Sequence, residues 1–369
     1  MKVILFLFYP LSWLYQFLFW VKQSTIKPIV IPNVLVISVG NITVGGTGKT
    51  PFVQFLVRYF QKTNKDYAIT ILSRGYKAKK SDEGAILPDG KSPHLYGDEP
   101  SQHKDLFPSV QVIIGKNRWK SFQTHNQIQS PKHIVILDDG FQHKQICRDF
   151  DIVLLDANAP FANGLTIPLG FLREPITHLK RAHSIVFTKL TEKNRNVIKL
   201  AKDILNKKQI NVPESVSFFQ SNLVEMNFDL LQKNVIEKQV YLSKEKPNGG
   251  YFLFTGVGNP RNVLETAESI LGENKIQYRF FPDHYEFEES VLFSLIQNRL
   301  KDSIFVTTEK DWVKVRTQSG FLETLKKQNI RLFVLKIEVV LAEEQKFESM
   351  LAGLVSTYEV KNGLASKTG

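Results

Sequence analysis

The stretch VLVISVGNITVGGTGKTPFVQFLVRYF, residues 34–60, places a glycine-rich turn between a buried strand and an amphipathic helix. This order is typical of a phosphate-binding loop, in which backbone N–H groups surround phosphate oxygens. Lys49 is predicted to reach the β- and γ-phosphates of a nucleotide, and Thr50 to bind Mg²⁺. Thr43 stands where the GxxxxGK(S/T) pattern has its first glycine. The residues predicted to bind nucleotide are Thr43, Val44, Gly45, Gly46, Thr47, Gly48, Lys49 and Thr50.

Short apolar runs recur between helix-like segments on both sides of this loop. They are apolar at nearly every position instead of alternating, as in strands that are buried on both faces. The pattern predicts an α/β fold, a parallel sheet with helices on both faces like that of P-loop NTPases, over residues 24–220. The runs are VLVISV from Val34, AITILS from Ala68, VQVIIG from Val110, IVILDD from Ile134, DIVLLDA from Asp151 and SIVFTK from Ser184.

Two adjacent carboxylates end one of these predicted strands. Asp138 and Asp139 follow four apolar residues, so they are expected at the carboxyl edge of the sheet, beside the phosphate loop. P-loop folds commonly supply a second Mg²⁺ anchor at this place. One of the two carboxylates is predicted to bind Mg²⁺ and the other to orient the ion, and the sequence does not decide which does which. The alternative is that both residues only form a turn at the end of the strand.

A second, smaller α/β domain is predicted over residues 251–345. YFLFTGVG, IQYRFF, SIFVTT and IRLFVLKI supply its strands, and helices are expected from Asn262 and Glu288. A polar stretch at 221–250 is interpreted as a linker with one or two strands of its own. The last residues, 346–369, form a C-terminal segment for which packing back on the first domain is one interpretation. GVGNP lacks the third glycine of a dinucleotide fingerprint and indicates a tight turn.

Composition limits the class of partner. The 369 residues, 43% apolar and 23% charged, are globular and long enough for two domains. The net charge of +12 favours an anionic partner, but no nucleic-acid-binding module is present. Lipid or nucleotide phosphates are therefore favoured, and the sequence indicates no obligate protein partner. Cys147 is the single cysteine, which fits a reducing compartment.

The first 23 residues are predicted to associate with a membrane. Val3 to Val21 carries no charge and eight aromatic residues, with Lys2 and Lys22 at its ends. Pro10 interrupts the run, and aromatic rings favour the headgroup boundary, so an interfacial helix is preferred over a spanning one. A helix packed on the protein's own core is the alternative. A signal peptide is disfavoured because no small-residue cleavage site follows.

Seven motifs, taken together and in order, resemble the tetraacyldisaccharide 4'-kinase (lipid A 4'-kinase) family. They extend over about residues 39 to 314, and the Thr43 deviation is itself typical of that family. Each of the motifs taken alone would be weak support. They are VGNITVGGTGKTP, SRGYK, GDEP, DDGFQH, LREP, FPDHYEF and TTEKDWVK.

The resemblance implies an ATP- and Mg²⁺-dependent kinase that phosphorylates the 4'-hydroxyl of a tetraacylated glucosamine disaccharide 1-phosphate and so makes lipid IVA. It implies work at the cytoplasmic face of the inner membrane, with the N-terminal helix holding the enzyme there. It also carries a catalytic role onto Asp98 and suggests that His284 orients Asp98 across the domain cleft. Lys49 of the phosphate loop is the third residue predicted to be catalytic. Substrate or supporting roles are expected for Arg74, Glu99, Gln142, His143, Arg173 and Glu174.

Other interpretations stay open at this point. GDEP also makes a good turn, and PDHY is able to cap a helix. Thr188 and Lys189 end a strand where many P-loop proteins contact the base, but no guanine-specific Asp follows. A membrane-associated P-loop NTPase switch that acts on a protein partner is the alternative function. The separate Asp-His and Thr-Glu-Lys-Asp clusters of the second domain count against a simple switch.

Overall fold

A computed structural model describes residues 10, 14–18, 21, 23–90, 93–226, 247–272 and 275–364. The strands are β1 Leu35–Gly40, β2 Ala68–Ser73, β3 Ala85–Ile86, β4 Gln111–Ile114, β5 His133–Asp138, β6 Phe150–Asp156, β7 Ser184–Thr188, β8 Glu214–Glu225, β9 Tyr251–Thr255, β10 Ile276–Phe280, β11 Ile304–Thr308 and β12 Leu332–Leu341. The helices are α1 Lys49–Thr63, α2 Pro93–Tyr96, α3 Asp98–Leu106, α4 Arg118–His125, α5 Arg195–Lys207, α6 Pro260–Leu271, α7 Glu289–Asn298, α8 Glu309–Val315, α9 Ser319–Lys327 and α10 Glu344–Lys361.

All twelve described strands join in one sheet, in the order β10-β9-β11-β12-β8-β7-β6-β1-β5-β2-β4-β3. Only the β3–β4 and β8–β12 pairs are antiparallel among them. The predicted α/β fold is therefore confirmed, but the sheet, which was predicted to be parallel, is mixed and mostly parallel. The carboxyl ends of the parallel strands share one edge, which is where loops of such folds bind ligands.

Strand β8 joins the two halves of the sheet. Its first residues, 214–216, pair in parallel with β7, while residues 217–225 pair antiparallel with β12. The strand begins before the polar stretch that was interpreted as a linker and runs through the predicted boundary at 220. The limits of the domains thus stay a prediction, and residues 227–246 of the linker lie outside the described residues.

The core lies on both faces of the sheet. In β1, Leu35, Ile37 and Val39 pack in the cluster that includes Phe52 of α1, whereas Val36 packs with Phe122 of α4. Neighbouring residues of a strand point to opposite faces, so both faces of β1 are covered by helices. This burial explains why the strand reads as a continuous apolar run.

The C-terminal helix α10 packs on the first half of the chain. Phe347, Leu351 and Val355 belong to the same core cluster as α1. The hydroxyl of Tyr358 donates a hydrogen bond of 2.7 Å to the carbonyl of Pro131. Helix α10 therefore covers the sheet face that also carries the helix of the phosphate loop.

Most of the predicted N-terminal segment lies outside the described residues, which include only residues 10, 14–18 and 21 of its first 22 positions. Among the helices of the described chain, none combines the length and the apolar character that a membrane crossing requires.

Candidate active site

The phosphate loop connects β1 to α1 and depends on glycine conformation. Gly45 and Gly48 have φ angles of 127° and 86°, in the region that side chains disfavour. Gly48 also faces a ring of β8, because a Cβ atom on Gly48 would lie 2.3 Å from Cζ of Phe219. Phe219 of β8 therefore packs directly against the backbone of Gly48.

Gly48→Ala is expected to weaken ATP binding at least tenfold, because both the backbone angle and the contact with Phe219 oppose the new methyl group. Titration of the purified variant with ATP measures the change. Gly353→Ala, at an open position within α10, is the matched control. Unchanged ATP affinity in Gly48→Ala would show that the loop does not need its observed conformation.

The ends of β6 and β7 hold the loop from one side. The hydroxyl of Thr188 donates to the carbonyl of Thr47 at 2.8 Å. The ammonium of Lys189 donates to the carbonyl of Gly46 and to the carboxylate of Asp156, each at 2.5 Å. Thr188 and Lys189, which the sequence places where many P-loop proteins contact the nucleotide base, donate hydrogen bonds to carbonyls of the phosphate loop in this structure. Both positions lie at the carboxyl ends of strands, which is the signal that points to them.

A second backbone segment holds the loop from the other side. The N–H of Arg173 donates to the carbonyl of Ile42, and the N–H of Val44 donates to the carbonyl of Phe171, both at 2.7 Å. Thr43 forms an antiparallel bridge with Leu172 between these two bonds. The LREP motif is therefore fixed against the loop, and Arg173 enters the site from this segment.

Arg173 and Lys49 both contact Asp139. The guanidinium of Arg173 donates to the two carboxylate oxygens of Asp139 at 3.0 and 2.9 Å, and to the side-chain oxygen of Gln142 at 3.4 Å. Nζ of Lys49 lies 3.5 Å from Oδ1 of Asp139. Burial alone would raise the pKa of Asp139, but Lys49, Arg173 and Arg118 lower it to about 2. Asp139 is therefore ionised at neutral pH.

Asp138 is buried at the end of β5 and keeps one oxygen free of described protein partners. Its Oδ2 accepts a hydrogen bond of 3.2 Å from Ser73, and Nε2 of His103 lies 3.9 Å away. Its Oδ1 is buried with no hydrogen-bond partner among the described residues. Burial raises the pKa of Asp138, but the neighbouring His103 and Lys49 outweigh this, so its pKa lies below the ordinary value.

Arg118 and His103 were not singled out from the sequence, yet both support this carboxylate pair. The buried guanidinium of Arg118 donates to the carbonyls of Asp138 and Asp139 at 2.8 and 3.1 Å. Asp139 has a φ of 52°, a strained angle that these bonds help to hold. Arg118 begins a helix directly after β4, and that position at the sheet edge is the signal that could have indicated it.

The remaining predicted residues of this half divide into two groups. Gln142 donates to the carbonyl of Asn41 at 2.7 Å and so lies between the loop and Arg173. Glu174 is buried and pairs with His178 at 2.7 Å and Arg181 at 3.0 Å, so it supports the LREP segment from behind. His143 is largely buried, and burial lowers its pKa to about 3. Arg74 is exposed at the end of β2.

Asp98 and His284 meet although 186 positions separate them along the chain. Nδ1 of His284 lies 2.9 Å from Oδ2 of Asp98, and Nζ of Lys314 lies 3.4 Å from the same oxygen. Asp98 begins α3, while His284 follows β10 in the second half of the sheet. Burial raises the pKa of Asp98, but the bond from His284 and the charge of Lys314 outweigh it and lower the pKa.

Glu99 connects this pair electrostatically with the phosphate loop. Burial raises the pKa of Glu99 and the charge of Asp138 raises it further, while Lys49 and Lys310 act in the opposite direction. The Glu99 carboxyl group thus interacts electrostatically with Lys49 of the loop, with the buried Asp138 and with Lys310 of the second half of the chain. The helix that carries Asp98, α3, also brings Nε2 of His103 to 3.9 Å from Oδ2 of Asp138. The Asp98–His284 pair and the phosphate loop therefore lie at the same carboxyl edge of the sheet.

Comparisons with known proteins point to one family. A family model described as Tetraacyldisaccharide-1-P 4'-kinase matches residues 4–356. The tetraacyldisaccharide 4'-kinase of Leptospira biflexa is 68% identical over 99% of this chain and 100% of its own length. That of Halothermothrix orenii is 34% identical over 92% of this chain and 90% of its own.

A solved structure is similar as well. The crystal structure of LpxK from Aquifex aeolicus in complex with ATP superimposes with a TM-score of 0.70 and 26% identity, and the match covers 95% of this chain and 99% of that one. The family model covers nearly the whole chain, and full-length relatives exceed 30% identity. The chain therefore belongs to the tetraacyldisaccharide-1-P 4'-kinase family.

Proposed function

We propose that this chain transfers the γ-phosphate of ATP to the 4'-hydroxyl of a tetraacyldisaccharide 1-phosphate, with Asp98 as the proton acceptor. Membership of the family identifies the activity as tetraacyldisaccharide 4'-kinase activity in lipid A biosynthesis. Family membership therefore excludes the alternative function, a membrane-associated P-loop NTPase switch that acts on a protein partner. The observation that supports the atomic roles is the Asp98–His284 contact beside the phosphate loop.

The phosphate loop and its cations bind the transferred group. The backbone N–H groups after Gly45 and at the start of α1 take the phosphate oxygens of ATP. Lys49 and Arg173 both form ion pairs with Asp139. Their positive charges compensate the negative charge of the γ-phosphate during transfer. Because Asp139 holds these two cations in position, they are oriented before the nucleotide binds.

Asp98 accepts the proton of the acceptor hydroxyl. In the transfer, the 4'-oxygen forms a bond to the γ-phosphorus while the bond from that phosphorus to the bridging oxygen of ADP breaks. The proton of the hydroxyl moves to the carboxylate of Asp98, and ADP leaves with the bonding electrons. His284 orients the carboxylate through its ring N–H, as in other acid–base pairs.

Mg²⁺ fits the residues around the loop. The buried Oδ1 of Asp138 has no described protein partner, and Thr50 is the second residue of α1, where P-loop proteins place their Mg²⁺ ligand. No cage of three or more His, Cys, Asp or Glu side chains occurs within the described part of the chain. Mg²⁺ needs no such cage, because waters and phosphates complete its shell. When bound by Thr50 and Asp138, with Asp139 behind them, the ion would neutralise charge on the β- and γ-phosphates.

The acylated acceptor approaches from the side of the N-terminal segment. Leu14, Phe17 and Leu18 are each more than half exposed, and they recur at the spacing of one helix face. Phe171, beside the phosphate loop, is also more than half exposed. Gln16 donates a 2.9 Å hydrogen bond to the hydroxyl of Thr166, which ties the segment to the strand-like loop that ends in LREP. An apolar surface next to the site suits acyl chains at a membrane surface.

Transfer to a glycolipid is tested with the purified full-length chain. Incubation with ATP labelled at the γ-phosphate, Mg²⁺ and a tetraacylated disaccharide 1-phosphate in vesicles should give a labelled lipid. Omission of Mg²⁺ should abolish the label, and the same lipid already phosphorylated at the 4' position should accept none. Label that appears only in free phosphate would contradict a kinase role.

Changing Leu14, Phe17 and Leu18 together to Gln is expected to reduce vesicle binding and to raise the KM for the acylated acceptor about tenfold or more. The three changes remove apolar area, worth roughly 25 cal/mol for each Å², without touching the ATP site. Flotation with anionic vesicles and steady-state kinetics measure both effects. Leu200→Gln with Val360→Gln, two exposed apolar positions elsewhere, is the matched control. Equal flotation of both variants and the wild type would mean that the basic surface provides the attachment.

A further inference from the structure

Helix α8 carries two lysines one turn apart, Lys310 and Lys314, within the TTEKDWVK motif. Their ammonium groups contact the two ends of the Asp98–His284 pair. Nζ of Lys314 lies 3.4 Å from Oδ2 of Asp98, and Nζ of Lys310 lies 3.3 Å from Nε2 of His284. We propose that Lys310 and Lys314 are positioning residues that hold the pair with Asp98 ionised and His284 neutral, its proton on Nδ1. The proposal rests on the proposed kinase function.

Lys314 is buried, with only 3% of its side chain exposed. A buried ammonium is costly unless anions or hydrogen-bond acceptors compensate it. The two carboxylates near it are Asp98 at 3.4 Å and Asp311 at 3.6 Å, and the ring of Phe287 lies 5.6 Å away. Since Asp98 is one of the two anions that contact Lys314 within the described part of the chain, the position of Lys314 depends on an ionised Asp98.

Asp311 fixes Lys314 and His284 in one frame. Its Oδ2 accepts bonds from the hydroxyls of Thr255 at 2.6 Å and Thr308 at 2.8 Å, and from the N–H of Gly256 at 3.1 Å. The carbonyl of Gly256 accepts the N–H of His284 at 3.1 Å. One fully buried carboxylate therefore connects the ends of β9 and β11 with the lysine and the histidine on either side of Asp98.

Lys310 determines which ring nitrogen of His284 carries the proton. An ammonium has only donors, so a hydrogen bond across this 3.3 Å contact requires Nε2 of His284 to accept. Oδ2 of Asp283 also lies near Nε2, but at 3.8 Å it is beyond hydrogen-bond distance. The proton then lies on Nδ1 and is donated to Asp98, at 2.9 Å. Lys310 is itself held by Asp283 at 2.8 Å.

This arrangement keeps the accepted proton on Asp98. Nδ1 of His284 is already protonated, so a second proton would make an imidazolium directly beside Lys310. His284 thus orients Asp98 and does not relay the proton onward. Among the described residues, the charged and titratable groups that face Asp98 or its partners are Tyr76 after β2, Glu99 on α3, Asp283 and His284 after β10, and Lys310, Asp311 and Lys314 on α8.

The tautomer is measured without any activity, by ¹⁵N NMR of histidine-labelled protein, with His284→Gln to assign the ring signals. The wild type at pH about 7.5 is expected to show a protonated Nδ1 and an unprotonated Nε2 at His284. A proton on Nε2 overturns the proposal, whatever the enzyme phosphorylates. Failure of the kinase role itself would instead appear as an unlabelled glycolipid with the wild type.

The pH dependence of kcat/KM tests Lys314. In Lys314→Met the buried Asp98 loses a cation, so its pKa rises and it is protonated over a wider acidic range. The acidic limb should move to higher pH by roughly one pH unit, with the KM for ATP unchanged. Lys327→Met, on the exposed face of α9, is the matched control. A uniform loss of rate without a shifted limb would mean a merely structural role and overturn the proposal.

Lys310 gives an independent test, because it is more exposed than Lys314 and tolerates change better. Lys310→Met should lower kcat several-fold with little change in the KM for ATP, and Lys310→Arg, which keeps a donor for Nε2, should restore most of it. If Lys314→Met does not fold, this pair of variants and the NMR measurement carry the test. Equal rates for Lys310→Met and the wild type would contradict the proposal.

Discussion

Lys49→Ala is expected to lower phosphate transfer by roughly a thousand-fold or more, with the fold intact. The ammonium of Lys49 is the first cation of the loop and lies 3.5 Å from Asp139. A thousand-fold loss corresponds to about 4 kcal/mol of transition-state stabilisation. The remaining cation, Arg173, keeps Asp139 paired in the variant, so the protein should not contain an unpaired buried charge.

The measurement is kcat/KM with ATP and a glycolipid acceptor, together with thermal unfolding. Lys62→Ala is the matched control, because Lys62 lies in the last turn of the same helix and is exposed. It should retain nearly full activity. Transfer at a near-normal rate by Lys49→Ala would refute the phosphate-loop assignment, since that assignment makes Lys49 the cation that contacts the β- and γ-phosphates.

Local patterns account for the part of the site that the sequence predicted. The loop at 43–50 lies between a strand and a helix that are adjacent along the chain, so neighbouring residues suffice to identify it. Asp138 was expected at the sheet edge because four apolar residues precede it, and the structure places it there. Such predictions need only the periodicity of a strand and the common edge of a parallel sheet.

Long-range pairing accounts for what the sequence did not predict. The sheet order, with β8 between β7 and β12, brings Phe219 against Gly48, and nothing local to either residue indicates that contact. The same order places α8 beside α3, so that Lys314 reaches Asp98. The sequence identified the TTEKD motif but not its role, because the role depends on a contact between residues 216 positions apart.

The continuous sheet also changes the expectation for domain motion. Asp98 and His284 were expected to approach each other across a cleft between two domains, yet they are 2.9 Å apart in a structure whose halves share β8. Two further side-chain contacts join α3 to α8 and its C-cap: Gln102 donates to Glu309 at 3.3 Å, and Arg316, directly after α8, donates to Asp105 at 2.5 Å. The pair is thus held in advance by the fold, which favours rigid positioning over assembly during the reaction.

Asp98→Ala and His284→Ala are each expected to lower kcat by roughly a hundred-fold or more, the effect typical of general-base loss, with ATP affinity little changed. Asp98 accepts the proton, and His284 supplies the N–H that orients its carboxylate at 2.9 Å. Residues that act as one unit are not additive, so the double variant should be little slower than either single one. Single-turnover kinetics with the glycolipid acceptor measure all three rates, and Asp203→Ala on the exposed side of α5 is the control carboxylate. Losses that multiply in the double variant would mean that the two residues work independently, and His284 would then need a role of its own at the acceptor.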